Sequence, residues 1–352
     1  MHSRLYPLAA LAVLTLGGCK GKTEAGGEAT KSSEGAGSTA GQATSIIVYS
    51  GRSEQLIGGV IAAYERASGV DVRVKYADSA QLAATLLEEG GNSPADVFLA
   101  QDASTLGFLD GKGSFTPLPK AVLDRAPASA RSASGTWIGV SGRARVLAYN
   151  PKKLTPDALP KTADELTDPR WKGRVGWAPA NASFQSFVAA MIQLRGEDRT
   201  AAWLEAMKKN QPKDYPKNTP AVMAVSTGEV DVALVNHYYL YRLRDEHGAD
   251  LAADNHYFRS GGADSMVNLS GAAVLAASKK QTAGAAFIAY LLSDEGQQHF
   301  ISGNHEFPVA IGVPSPVGLP AFDGLEAPAL DLARLDDLEA TVTLLRKTGV
   351  LR

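Results

Sequence analysis

Cysteine is all but missing: Cys19 is the only one in 352 residues. Disulfides are thereby excluded, and so are thiolate metal sites inside a folded body. Charge of one sign is missing too, because 35 basic residues face 37 acidic ones. That balance argues against a nucleic-acid binder or a polybasic membrane protein. Long apolar runs are limited to Leu8 to Leu16, which is too short to span a bilayer. His247, His256, His299 and His305 are scattered without metal-ligand spacing, which argues against a zinc protein. No phosphate loop, dinucleotide fingerprint or Gly-x-Ser-x-Gly elbow occurs, so an enzyme such as a secreted hydrolase has little support.

What is present begins with an address. Arg4 and His2 precede the short apolar run, and small residues follow it up to Cys19, the pattern of a secretory signal. Leu16-Gly17-Gly18-Cys19 resembles a bacterial lipobox, which implies that Cys19 becomes the lipidated first residue of the mature chain. The expectation is a signal peptide over 1–19 and a protein of the periplasm or cell envelope whose only membrane contact is its lipid. Residues 20–44 hold no aromatic and no aliphatic side chain larger than alanine, so they read as a flexible tether. The roughly 300 residues that follow exceed one ordinary core and suggest a two-lobed body.

That body alternates strand and helix signals. The apolar run Ile46 to Tyr49 reads as a buried strand, and Leu56, Ile57, Val60, Ile61 and Tyr64 form a helical stripe after it, with Ser53 suited to cap the helix. Val70, Val72 and Val74 alternate with charged residues as a second strand. A helix over Ser79 to Glu89 and a third strand over Ala95 to Ala100 follow. Strand, helix, strand, helix, strand predicts a mostly parallel sheet with helices on both faces. Ligands bind such sheets at the carboxyl ends of strands, which places Ser50, Gly51, Arg52, Ser53, Gln101 and Asp102 at a candidate rim. Further on, Trp137 to Val140 and Arg145 to Tyr149 read as two strands, with Arg143 and Arg145 sharing a face. Asn181, Ala182 and Ser183 open an apolar helix whose start suits an oxyanion or, equally, plain capping.

The densest chemistry lies at Asn236-His237-Tyr238-Tyr239-Leu240-Tyr241, directly after the apolar run Val230 to Val235. Adjacent tyrosines can converge on one site only if the strand ends there and a helix begins. The helix dipole would then favour phenolate, and phenolate is an anionic oxygen ligand suited to a hard cation such as ferric iron. The cluster equally suits three interface aromatics with satisfied hydroxyls. His237 reads as structural or as a support for the tyrosines.

Several segments in order resemble the ferric-iron-binding proteins of bacterial ABC importers: 93–98 (Ser-Pro-Ala-Asp-Val-Phe), 140–146 (Val-Ser-Gly-Arg-Ala-Arg-Val), 171–176 (Trp-Lys-Gly-Arg-Val-Gly), 236–241, 262–268 and 270–275. The resemblance implies an α/β, two-lobed periplasmic-binding-protein fold of type II-like form with crossing hinge strands. The first lobe would comprise 45–144 and 268–320, the second 145–267, and 321–352 would form C-terminal helices on the second. Hinges are expected near Pro127 to Arg131, Arg143 to Ala148 and Asn268 to Ala272. It implies Fe³⁺ as cargo on Tyr238 and Tyr239, with carbonate or phosphate as synergistic anion at Asn181, Ala182, Ser183, Asn236, Arg143 and Arg145. An ABC permease is the implied partner and a monomer the implied state. The chain departs from the family pattern where a histidine and a glutamate ligand are usual: Ser53 and Gln101 stand there, with Asp102 one position on. A third tyrosine used by some members falls at Ser183. Asp102 is expected to swing in as a carboxylate ligand, with Gln101 a weaker donor; the alternative cargo is an iron chelate or a small oxyanion.

Overall fold

Continuous hydrophobicity makes the first strand, β1 (Ser45–Ser50), a buried one, and the polar turn after it releases the chain into helix α1 (Glu54–Ser68). The structure, a computed structural model, describes residues 45–248, 250–316, 318–331 and 338–351. The expected signal segment 1–19, its Cys19 and the tether 20–44 lie outside the described residues. After α1 come β2 (Asp71–Tyr76), α2 (Ser79–Glu89), β3 (Val97–Ala100), α3 (Ala103–Asp110), α4 (Lys120–Leu123) and β4 (Trp137–Tyr149). Then follow β5 (Val175–Trp177), α5 (Ala182–Arg195), α6 (Glu197–Lys209), β6 (Lys213–Asp214), α7 (Asn218–Thr227), β7 (Val232–Asn236) and α8 (Tyr238–His247). The chain finishes through β8 (Asp254–His256), β9 (Val267–Val274), α9 (Gln281–Leu291), α10 (Asp294–Asn304), β10 (Phe307–Pro308) and α11 (Leu338–Lys347).

Strand order is β2-β1-β3-β9-β4-β7-β5-β6, with β8 and β10 also paired to β4. The outer strands β2, β1 and β3 run parallel, as do β7, β5 and β6, while β9 and β4 join the two groups with antiparallel pairs. Strand β4 changes partner midway. Its residues up to Ala144 pair with β9, and from Arg145 onward they pair with β7, so that Arg145 stands opposite Asn236. Where the sequence suggests two strands separated by Ser141 to Ala144, the structure has one strand of 13 residues, buried throughout. Gly142 makes that continuity possible, since a Cβ there would lie 2.9 Å from the Phe322 ring and 3.0 Å from Val267.

Two hydrophobic clusters flank this shared strand. The first gathers Ile46, Phe98, Phe287 and Phe300 around β1, β3, α9 and α10. The second gathers Trp171, Trp177, Phe184, Phe187 and Trp203 under α5 and α6, where α11 also packs. Alternation along β4 feeds both, Val146 and Ala148 into the first and Leu147 and Tyr149 into the second. Among the described residues no helix is long and apolar enough to cross a membrane.

Candidate metal centre

Strand β7 ends at Asn236 and α8 begins at Tyr238, the strand-to-helix switch that the paired tyrosines require. His237 makes the corner. Its Nδ1 accepts from the Ala144 amide at 3.1 Å and its Nε2 donates to the His305 carbonyl at 2.7 Å, so the ring is neutral and tied to backbone on both sides. Burial pulls its pKa down to about 4. With the corner fixed, the rings of Tyr238 and Tyr239 lie together, 4.3 Å between centroids at 29°. Tyr241 turns the other way: it stacks on His305 and its hydroxyl donates to the Gly318 carbonyl. The third phenol therefore does not join the pair.

The pair faces guanidinium groups. Arg143 and Arg145, alternating on β4, are both buried. Arg143 donates to the Gln101 carbonyl at the end of β3, while Arg145 donates to Leu234 O at 2.9 Å and reaches Ser183 Oγ at 3.4 Å. Burial lowers the Arg145 pKa to about 9, and the charges of Tyr239 and then Tyr238 oppose that fall. For the Tyr238 phenol, burial is the largest influence and pushes the pKa up; Tyr239 adds to it and Arg143 pulls it back. Arg242 lies over the same ring, 4.9 Å from its centroid.

Arg145 links the tyrosines to the start of α5. Asn181 caps the helix, its Oδ1 accepting from the Ser183 amide at 3.0 Å and the Ser183 hydroxyl at 2.7 Å. Ala182 is exposed, Ser183 is half-buried, and Asn236 is buried on β7. Stacked phenols, two cations and a polar helix start are the chemistry that suits a metal bound through oxygen together with an anion.

The bacterial extracellular solute-binding proteins match over residues 92–334. The Fe(3+)-binding periplasmic protein of Serratia marcescens is 34% identical over 310 residues, which cover 87% of this chain and 90% of that protein. The chain belongs to the ferric-iron-binding periplasmic solute-binding proteins. These bind solutes and are not enzymes. Iron-bound HitA from Pseudomonas aeruginosa aligns at TM-score 0.77 with 35% identity, covering 87% of this chain and 99% of that one. The Trichodesmium protein IdiA (FutA), in complex with iron and citrate ligands, aligns at 0.75 with 28% identity, again over 87% and 99%. The architecture is accordingly the α/β periplasmic-binding-protein fold.

For this member of the family, two groups of expected site residues are engaged elsewhere in the structure. Asp102 is committed as the N-cap of α3: its Oδ1 accepts from the Thr105 amide at 2.9 Å, the Thr105 hydroxyl at 2.8 Å and the Ser104 hydroxyl at 2.6 Å. A swing toward the tyrosines would have to break these bonds. The rim expected from Ser50 to Ser53 is largely turned inward. Ser50 bonds to the Arg52 backbone, and Arg52 forms a bidentate pair with Glu306 at 3.0 Å, both residues buried. Gly51 packs against Ser79, and only Ser53, at the N-cap position of α1 without a side-chain cap bond, is exposed. Gln101 stays beside the site through its carbonyl, and its side-chain Oε1 is buried without a partner.

The structure also adds residues that sequence reasoning missed. Asn218, the fully buried first residue of α7, donates to Ser183 Oγ at 3.0 Å and Asn181 Oδ1 at 3.3 Å, leaving its own Oδ1 without a partner. A polar residue just before the apolar stripe Ala221, Val222 and Val225 was the available signal. Glu306 accepts from Arg52 and, at 2.6 Å, from Ser141 on β4. Against the cost of burial, Arg52 and then Arg143 hold its carboxyl below the usual range.

Proposed function

We propose that this protein captures ferric iron outside the cytoplasm, with a synergistic anion, and delivers it to an ABC permease. The observation that carries the reading is the stacked Tyr238–Tyr239 pair at the first turn of α8, close enough to Arg143 and Arg145 to feel their charge. Phenolate is a hard, anionic oxygen donor, the kind a small trivalent cation prefers. Arg145 from β4 and Asn218 from α7 meet Ser183 at the start of α5 and suit the anion, for which carbonate and phosphate are the smallest candidates. That relatives are described as iron-bound supports the same cargo.

In this reading residues 45–144 and 268–320 form one lobe, 145–267 the other, and 321–352 pack on the second. The change of partner in β4 between Ala144 and Arg145, and the packing of α11 on α5 and α6, support that division. Closure of the lobes brings Gln101 and Ser53 over the tyrosines and excludes water, which strengthens the ionic bonds. The mature chain is held to the membrane by a lipid on Cys19 and works as a monomer. A Tyr238→Phe, Tyr239→Phe double variant should lose at least about 100-fold in Fe³⁺ affinity by competition dialysis, more than loss of a supporting group costs. Unchanged affinity would refute the reading.

A further inference from the structure

The chain passes between the two parallel groups of strands through β4 and β9, and it passes once more, without a strand, on the way from β10 to α11. Near the start of that passage the Ile311 amide donates to the Arg125 carbonyl at 2.7 Å. Further on, the Gly318 carbonyl accepts from Tyr241 of α8, and the half-buried Phe322 ring takes the space where a Gly142 Cβ would point. Gly142 alternates with Arg143 on β4, so Phe322 sits on the face away from the guanidinium groups. Leu325 is 2% exposed, and Glu326 follows it at φ 50°, a left-handed conformation that a non-glycine residue keeps only where its surroundings fix it. At the far end Leu330 packs on the second hydrophobic cluster. There the Asp331 backbone exchanges two hydrogen bonds with the Gln193 side chain of α5, at 2.9 and 3.1 Å.

Between the Phe322 seat and α5 this segment does not rest on solid core. A cavity of about 730 Å³ lies against it, walled by residues that include Pro127, Ser129, Val267, Leu269, Phe322 and Pro328. Those walls and the Gly142 seat belong to, or lie next to, all three segments where hinges are expected. Rotating α5 about these hinges changes the span between Phe322 and Asp331, so it must either free one anchor or draw the segment into the cavity. Each anchor is modest, a ring contact or a pair of hydrogen bonds, and can be released without unfolding the body. All of them hold here while the site is shielded, with Tyr238 9% exposed.

We propose that residues 318–331 form a strap over the hinge, which holds the two lobes in this shielded arrangement and so governs how fast bound iron escapes. This rests on the two-lobed, ferric-iron reading above and adds the element that retains the closed form. The strap acts on lobe rotation and not on the metal: Phe322 bears on the shared strand, Gln193 ties the strap to the second lobe, and neither is a ligand.

The test compares the parent with Phe322→Ala, which empties the seat on Gly142, and with Gln193→Ala, an exposed substitution on α5 that removes both bonds to Asp331. Transfer of ⁵⁵Fe³⁺ from the loaded protein to excess EDTA gives the release rate, and X-ray scattering gives the radius of gyration with and without ferric iron. Each variant should release iron at least about twofold faster, the scale of coupling carried by residues that touch no ligand. Each should also have a larger radius when iron-free and keep the parent's iron absorption band. Gln193→Ala decides the matter if Phe322→Ala does not fold. Parental release rate and radius in Gln193→Ala would overturn the proposal while leaving ferric binding intact, and so would faster release with an altered band, which would place the effect at the iron. A parent that retains no iron, or whose radius is the same with and without it, would instead refute the reading of iron capture by closing lobes, and this inference with it.

Discussion

His237 stands beside the tyrosines, where an imidazole invites reading as a ligand, yet the Ala144 amide and the His305 carbonyl occupy both ring nitrogens. Its role is to turn the chain from β7 into α8 so that consecutive phenols meet. Because its folded pKa of about 4 lies below the unfolded value of about 6.5, the unfolded chain takes up the proton first as pH falls. Its contribution to stability is therefore complete above about pH 6.5 and declines toward pH 4, by roughly 3 kcal/mol. Urea unfolding of the iron-free protein at several pH values in this window should show a shallower decline for His237→Gln than for the parent; parallel declines would contradict the assignment. At this scale the sequence exposed the tyrosines and both arginines of β4, because their chemistry is local. It concealed Arg52 with Glu306, whose partners are 254 positions apart. It also did not show Asp102 as the cap of α3, since a carboxylate that caps a helix and one that binds a metal look alike in one dimension.

Elements were legible where local signals agree. The strand-helix rhythm from Ser45 to Ala100 appears as expected, and Gly69 ends α1 in the left-handed conformation at φ 71°. Strand β4 was harder. Ser141-Gly142 resembles a break, but the glycine is there because Phe322 and Val267 crowd the position, and no local pattern reveals a neighbour so distant in sequence. Helix α3 offers the element-scale test. Asp102→Ala should cost about 1 kcal/mol through loss of the cap, read from the denaturation midpoint, with iron affinity unchanged. A tenfold loss of iron affinity with unaltered stability would mark Asp102 as a ligand.

For the whole molecule, alternation of apolar strands and amphipathic helices predicts a doubly covered sheet, and ordered motifs predict the family. The family resemblance adds crossing strands near Arg143 to Ala148, and in the structure β4 is one unbroken strand that serves both parallel groups. That arrangement places Arg143 at the end of β3 and Arg145 at the start of α5 from positions two apart on one strand, so each arginine reports on a different side of the site. It also makes iron capture a property of the intact body, since tyrosines, arginines and the α5 start come from separate elements that only the complete sheet assembles. The most direct measurement is the visible spectrum of the purified protein during titration with ferric citrate. The account predicts a phenolate-to-iron charge-transfer band that saturates at one iron per chain and is lost in the Tyr238→Phe, Tyr239→Phe variant. A colourless parent protein, or the same band in the variant, would contradict it.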